Sequence, residues 1–249
     1  EIVGKKAQGY DRFQRRIGMV HGAKNALGVL EKDALFPNLL AFTDGINAFI
    51  ESLSPDDYPL EYKIMDYAPE PWTPLKTCLL LKYMAWMLTG RSTDLAYTRI
   101  MNDFGLDVLD ELYPLFPRDF DPVIPRGTTF DFQNPKLNVP NSIYKTNGDT
   151  TDILIKQLEG IGSNNWAVAG SRTKSGKAIL ANDPHLGLNL PSIWYVMHLN
   201  CSTMNVMGVA LPGAPGIIMG FNDHISWGYT NGYDDVMDWY DIQFRNEQK

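Results

Sequence analysis

The apolar periodicity of this chain changes once, and that change restricts the fold more than any other feature. Up to about residue 115 apolar residues recur every three or four positions. From Ser163 onward they come in short runs separated by turn residues. The first pattern builds helix faces and the second builds strands. Phe13, Ile17, Val20, Ala23, Leu27 and Leu30 form one apolar stripe. Leu39, Leu40, Phe42, Ile46, Phe49 and Ile50 form a second, which Leu53-Ser-Pro55 ends. Pro69, Pro71 and Pro74 punctuate a rigid connector around Trp72, and Leu79 to Leu88 reads as a strongly apolar helix. Ser92-Thr93-Asp94 offers an N-cap to a helix over Leu95 to Phe104, with Gly105 suited to its C-cap.

Between the two patterns, Pro117, Pro122, Pro125, Gly127, Pro135, Pro140 and Gly148 break any long element. The chain therefore divides into a helical region at 1–115, a connector at 116–162 and a strand region at 163–249. A short helical turn over Thr151 to Leu158 is expected to close the connector. Strands are expected over Trp166 to Ala169, Ala178 to Ala181, Ile193 to Leu199, Asn205 to Leu211, His224 to Thr230 and Asp238 to Phe244. Turns are expected at Ser171 to Gly176, Asn182 to Asn189 and Asn200 to Thr203. The implied fold class is α+β, with a helical first half packed on an antiparallel second half.

Composition removes several functions. Of 249 residues 44% are hydrophobic and 20% charged, which argues against general disorder. A net charge of −7 without a cluster of Lys and Arg argues against nucleic acid as a partner. The most apolar stretch, Leu75 to Leu88, is too short to span a bilayer and carries Lys76 and Lys82, so no membrane partner is expected. Cys78 and Cys201 are read as two separate buried thiols. His21, His185, His198 and His224 lack the spacing of a zinc site, and no Ser lies in a Gly-x-Ser-x-Gly elbow. Glu1 and Lys249 read as cut ends, so a longer protein is expected.

The chemistry concentrates where the connector meets the first strand, at Gly162-Ser163-Asn164-Asn165-Trp166. Ser in such a context is commonly a turn residue. The alternative is a nucleophile that needs a base. A Ser made N-terminal by scission of the Gly162–Ser163 bond carries one, its own α-amine, whose ordinary pKa is about 7.7–8.0. Gly162, having no Cβ, permits close approach of the Ser163 hydroxyl to the preceding carbonyl. A further cluster, Asp234-Asp235-Val236-Met237-Asp238, is either a solvated acidic turn or a set of hard oxygen ligands suited to Ca²⁺.

Several spaced motifs together carry a resemblance. Gly-Ser-Asn-Asn-Trp at 162–166, Ala-Asn-Asp-Pro-His-Leu at 181–186 and Pro191-Ser-Ile-Trp-Tyr resemble the start of the β chain in the penicillin acylase family of N-terminal-nucleophile hydrolases. Gly213-Ala-Pro-Gly216 and the run from Gly220 to Gly228 continue it. Asp44 to Ile50 and Pro69 to Pro74 match in the helical half, so most of the chain is covered in the family's order.

The resemblance implies an αββα fold and hydrolysis of linear amides of the penicillin, cephalosporin or acyl-homoserine-lactone type. It implies that autoproteolysis at Gly162–Ser163 exposes Ser163 as nucleophile, leaving α and β chains of one precursor as partners, with a small acyl amide as substrate. His185 matches a residue that assists cleavage or orients the amine; a polar turn residue is the plain alternative. The backbone N–H of Asn231, or of Gly232, matches the main-chain oxyanion donor, in a sequence that also favours a β-turn. In calcium-binding members the ligands correspond to Asp94, Asp235, the Met237 carbonyl and Asp238. Met84, Trp86 and Met87 are candidates for an acyl pocket, although apolar residues at helical spacing are more often plain core. The family also implies a periplasmic or secreted location. The Asn that completes the family's oxyanion hole lies beyond this chain, so the chain alone is expected not to turn over. A non-catalytic, calcium-stabilised binding scaffold of the same fold is the competing expectation.

Overall fold

A computed structural model describes residues 2, 4–89, 93–114, 124–125, 127–129, 131, 162–232 and 236–240. The chain forms two compact units. One comprises Glu1–Gly90 with Gln157–Met237, and the other comprises Arg91–Lys156 with Asp238–Lys249. The turn expected at Thr151 to Leu158 and most of the connector lie outside the described residues.

In the first unit the helices are α1 (Gln8–Arg16), α2 (Met19–Leu30), α3 (Phe36–Ser52), α4 (Leu60–Met65) and α5 (Pro74–Thr89). The single stripe expected from Phe13 to Leu30 is broken in two. Gly18 takes φ 72°, a left-handed conformation that stops α1 and starts α2. After α3, Leu53 becomes extended, as expected from Leu53-Ser-Pro55. The Asp57 carboxylate then accepts from the Ser54 N–H at 3.2 Å and the Ser54 hydroxyl at 2.6 Å, which holds that carboxyl below its usual range. Helix α5 is the centre of the helical layer, with α2 and α3 packed on it. Ala23 of α2, Leu39 of α3 and Cys78 of α5 are buried.

The strands are β1 (Gly162–Val168), β2 (Ile179–His185), β3 (Tyr195–Cys201), β4 (Met204–Ala210), β5 (Met219–Asn222) and β6 (Ser226–Trp227). β1 and β2 form an antiparallel ribbon, and β3-β4-β5-β6 form a second antiparallel sheet in chain order. The α+β class is thus observed. Several details differ from the sequence reading. β2 runs on through Asn182-Asp-Pro-His185, where a turn was expected. β5 was not anticipated, and the strand expected over His224 to Thr230 shrinks to two residues. Residues 238–240 are not a strand, and 241–244 lie outside the described residues. Cys78 is buried and its thiol is pushed up by burial, but Cys201 is exposed, which corrects the expectation of two buried thiols.

A relay of hydrogen bonds joins the helices to the loop after β4. The Asn47 amide of α3 brackets the backbone of Trp72, accepting from its N–H at 2.6 Å and donating to its carbonyl at 3.0 Å. The Trp72 indole N–H donates to the Thr77 hydroxyl at 3.0 Å, and that hydroxyl donates to the Gly213 carbonyl at 2.8 Å. Thr77 is 2% exposed, so no water substitutes. Gly213 has φ 93°, and a Cβ there would meet Leu80 and Trp72 at 2.9 Å, so only glycine closes this contact. The second unit holds α6 (Asp94–Phe104) and α7 (Leu106–Leu112), packed together with Tyr97 and Tyr113 rings 5.1 Å apart. Gly105 ends α6 as expected, whereas Thr93 makes no side-chain cap bond.

Replacing Thr77 by Val keeps its shape and strands one donor and one acceptor. The expected cost in the full-length protein is about 2–3 kcal/mol, with a smaller loss for Thr77→Ser. Equilibrium denaturant unfolding of the two variants checks this.

Candidate active site

The expected nucleophile sits at the start of β1, in register with β2. Gly162 pairs with His185 and Ser163 with Pro184. The Ser163 hydroxyl donates to the Gly162 carbonyl at 2.6 Å, across the bond expected to be cut. Directly paired residues share a face of an antiparallel ribbon and neighbours alternate. Ser163 and Pro184 therefore point to one face, and Gly162 and His185 to the other. A Cβ built on Gly162 would lie 3.8 Å from His185 Nδ1, so the imidazole rests over this glycine. His185 Nε2 pairs with the Asp183 carboxylate at 2.9 Å. Its place is beside the Gly162–Ser163 link but across the ribbon from the Ser163 hydroxyl. Sequence reading gave Asp183 no role, although a His and an Asp two residues apart on a strand share a face.

The other face of Ser163 opens on a cavity of about 280 Å³. Leu81, Met84 and Leu88 of α5 line it, as do Pro184, Leu186, Trp194, Leu211, Ile218, Met219 and Tyr229. Thr230, Asn231 and Gly232 complete the lining, so the candidate nucleophile and both candidate oxyanion donors share one space. Among the described residues no charged side chain lines it. Of the acyl-pocket candidates only Met84 is there. Trp86 instead packs against Phe13 and Tyr83, with ring centroids 5.7 and 5.5 Å away, and Met87 does not line the cavity.

Two asparagines hold the 228–229 backbone against the ribbon. Asn165 of β1 donates to the Gly228 carbonyl at 2.8 Å. Asn182 of β2 donates to the Tyr229 carbonyl and accepts from the Tyr229 N–H, both at 3.0 Å, and also donates to the Asn164 carbonyl at 3.0 Å. Gly228 is required here, because a Cβ would fall 2.6 Å from the Asn182 side-chain Oδ1. These side-chain amides stand in for a strand ladder and set where Thr230 to Gly232 lie relative to Ser163. Sequence reading missed them: their partners are 47 and 63 residues away.

Of the expected calcium ligands, Asp235 lies outside the described residues. Asp94 opens α6, and Met237 and Asp238 are in irregular backbone. Among the described residues no three His, Cys, Asp or Glu side chains gather to hold a metal ion. Nor is any described helix long and apolar enough to cross a membrane.

Comparison with known proteins gives a consistent picture. The penicillin amidase family profile matches residues 1–249. Acyl-homoserine lactone acylase QuiP of Pseudomonas aeruginosa is 29% identical over 257 aligned positions, covering 99% of this chain and 29% of the relative. Penicillin acylase 2 proenzyme of a Pseudomonas species is 30% identical, covering 99% of this chain and 32% of the relative. Penicillin G acylase of Escherichia coli is 22% identical, covering 96% and 34%. The chain thus spans about a third of the length of these curated relatives.

Removing the Asn182 side-chain amide as Asn182→Ala deletes three hydrogen bonds, two to the Tyr229 backbone and one to the Asn164 carbonyl. Faster amide hydrogen exchange at Tyr229 is expected, with a stability loss of roughly 1–3 kcal/mol. Exchange mass spectrometry of the segment containing Tyr229, beside a denaturation curve, reads both.

Proposed function

This chain belongs to the penicillin amidase family, and from that premise we propose that it carries the nucleophile of an amide hydrolase, Ser163, exposed by scission of the bond before it. One observation carries the reading: the Ser163 hydroxyl contacts the Gly162 carbonyl while lining the same cavity as Asn231 and Gly232. A relative named a proenzyme accords with processing.

In the first stage the Ser163 oxygen adds to the Gly162 carbonyl carbon, the C–N bond breaks, and the hydroxyl proton passes to the nitrogen. That leaves a free amine on Ser163 and an ester on its oxygen, which water then hydrolyses to a carboxylate at residue 162 and the restored Ser163 hydroxyl. To His185, which rests over Gly162 and pairs with Asp183, the proposal gives a part in this stage. In turnover the amine accepts the Ser163 proton, the oxygen adds to the substrate carbonyl, and the N–H of Asn231 or Gly232 holds the oxyanion. Such a donor lowers the barrier by about 3 kcal/mol. The amine product leaves, and water releases the acyl group from Ser163.

Substrate class follows from the lining. The described lining carries no charged side chain, which favours apolar acyl groups over dicarboxylic ones, since a carboxylate there would be desolvated without a partner. Calcium remains part of the proposal on donor chemistry alone, because the ligands expected from the sequence are an all-oxygen set, which suits that ion. Removing it with a chelator is expected to lower the thermal midpoint and leave Ser163 chemistry otherwise intact.

The full-length protein should show a new N-terminus at Ser163 by mass spectrometry, and Ser163→Ala should abolish both that terminus and hydrolysis. A chain that stays whole on long incubation would instead favour a binding scaffold. Among aryl amides of graded acyl groups, apolar acyl chains should be cleaved about tenfold or more faster than glutaryl. Because the base must be neutral, kcat/KM should rise with pH to a plateau above about 8.

A further inference from the structure

Among the described residues helix α5 runs to Thr89, and the carbonyls of its last turn have no partner within that span. The Leu88 carbonyl is one of them, and the Asn231 side-chain amide donates to it at 2.7 Å, across 143 residues of sequence. The same helix supplies Leu81, Met84 and Leu88, spaced three and four apart, to one wall of the cavity that Ser163 lines. Asn231 therefore touches two parts of the site at once. Its side chain grips the end of the helix that forms the acyl wall, and its backbone lies in the stretch that supplies the oxyanion donor. Upstream, Asn165 and Asn182 fix Gly228 and Tyr229, and Asn231 secures the stretch two residues further on. Gly232, which follows, has no side chain with which to do so.

We infer that the Asn231 side chain is a positioning residue for the reaction: by capping α5 at Leu88 it holds the oxyanion-donating backbone in place relative to Ser163 and the acyl wall. The inference rests on Ser163 being the nucleophile. An ordinary helix cap would contribute stability alone, whereas a positioning residue acts on the chemical step. Truncation to Ala leaves the backbone N–H present but frees its location, and small displacements of an oxyanion donor cost rate rather than binding.

The test uses the full-length protein with Asn231→Ala and Asn231→Asp, each assayed for the new Ser163 terminus and for kcat and KM on an apolar acyl amide. For Asn231→Ala, kcat is expected to fall about 10- to 100-fold while KM changes less than about threefold. Asn231→Asp keeps the shape but turns the donor into an acceptor facing a carbonyl at the negative end of α5. That repulsion raises the carboxyl pKa above its ordinary value of about 3.9, and the protonated carboxyl donates again as pH falls. The activity of Asn231→Asp relative to the unaltered protein should therefore climb from pH 8 to pH 5, and the ratio cancels the titration of the Ser163 amine. Unchanged kcat in Asn231→Ala, or a ratio for Asn231→Asp that stays flat with pH, overturns the inference. If Asn231→Ala does not fold or process, the pH ratio of Asn231→Asp decides. Hydrolysis that survives Ser163→Ala overturns the reading of Ser163 itself, and this inference with it.

Discussion

The buried hydroxyl of Thr77 is the point on which the arrangement turns. It accepts from the Trp72 indole and donates to the Gly213 carbonyl, while Asn47 holds the Trp72 backbone from the side of α3. Helices and sheets have no repeating hydrogen bonds in common, so a junction between them must satisfy its polar groups one at a time. Here three side chains from the helical half meet one carbonyl from the strand half, with glycine needed at the meeting point. The junction sets α5 against the residues after β4, and α5 in turn forms a wall of the cavity.

The same solution recurs at the site. The 228–231 backbone is held by amide side chains from β1, from β2 and from Asn231 itself rather than by a ladder. A ladder fixes a strand to the spacing of its partner, whereas side-chain clamps can present a short stretch of backbone at an angle no sheet would allow. That freedom suits a backbone N–H that must face a reacting carbonyl.

The helical regions were legible because their apolar stripes are long, and the α+β class followed from the change of period. The misses have particular causes. Asn182, Asp183 and Pro184 are turn formers by local preference, yet they extend β2 because all seven positions of β1 pair across from it. Among the described residues the ribbon has two strands, both edges, and an edge tolerates Pro184. β5 hid behind its glycines: Gly208 and Gly220 face each other across β4 and β5, where a Cβ at either would collide with the Ile217 side chain at 2.6 or 2.7 Å. Ser163 and Asn231 were found through the family's motif order and do share the cavity. The asparagine clamps were not found, because bonds spanning tens of residues leave no local trace. Trp86 and Met87 showed the limit of helical spacing, which marks an apolar face without saying what it covers.

The position of Ser163 in β1 has one more consequence. Only Gly162 of that strand precedes the proposed scission, so cutting there removes a single rung, the one shared with His185, and leaves Asn164 to Val168 zipped to β2. A freshly made chain end ordinarily frays into solvent. This one would be born already stitched to its neighbour, with the new amine kept where the hydroxyl needs it.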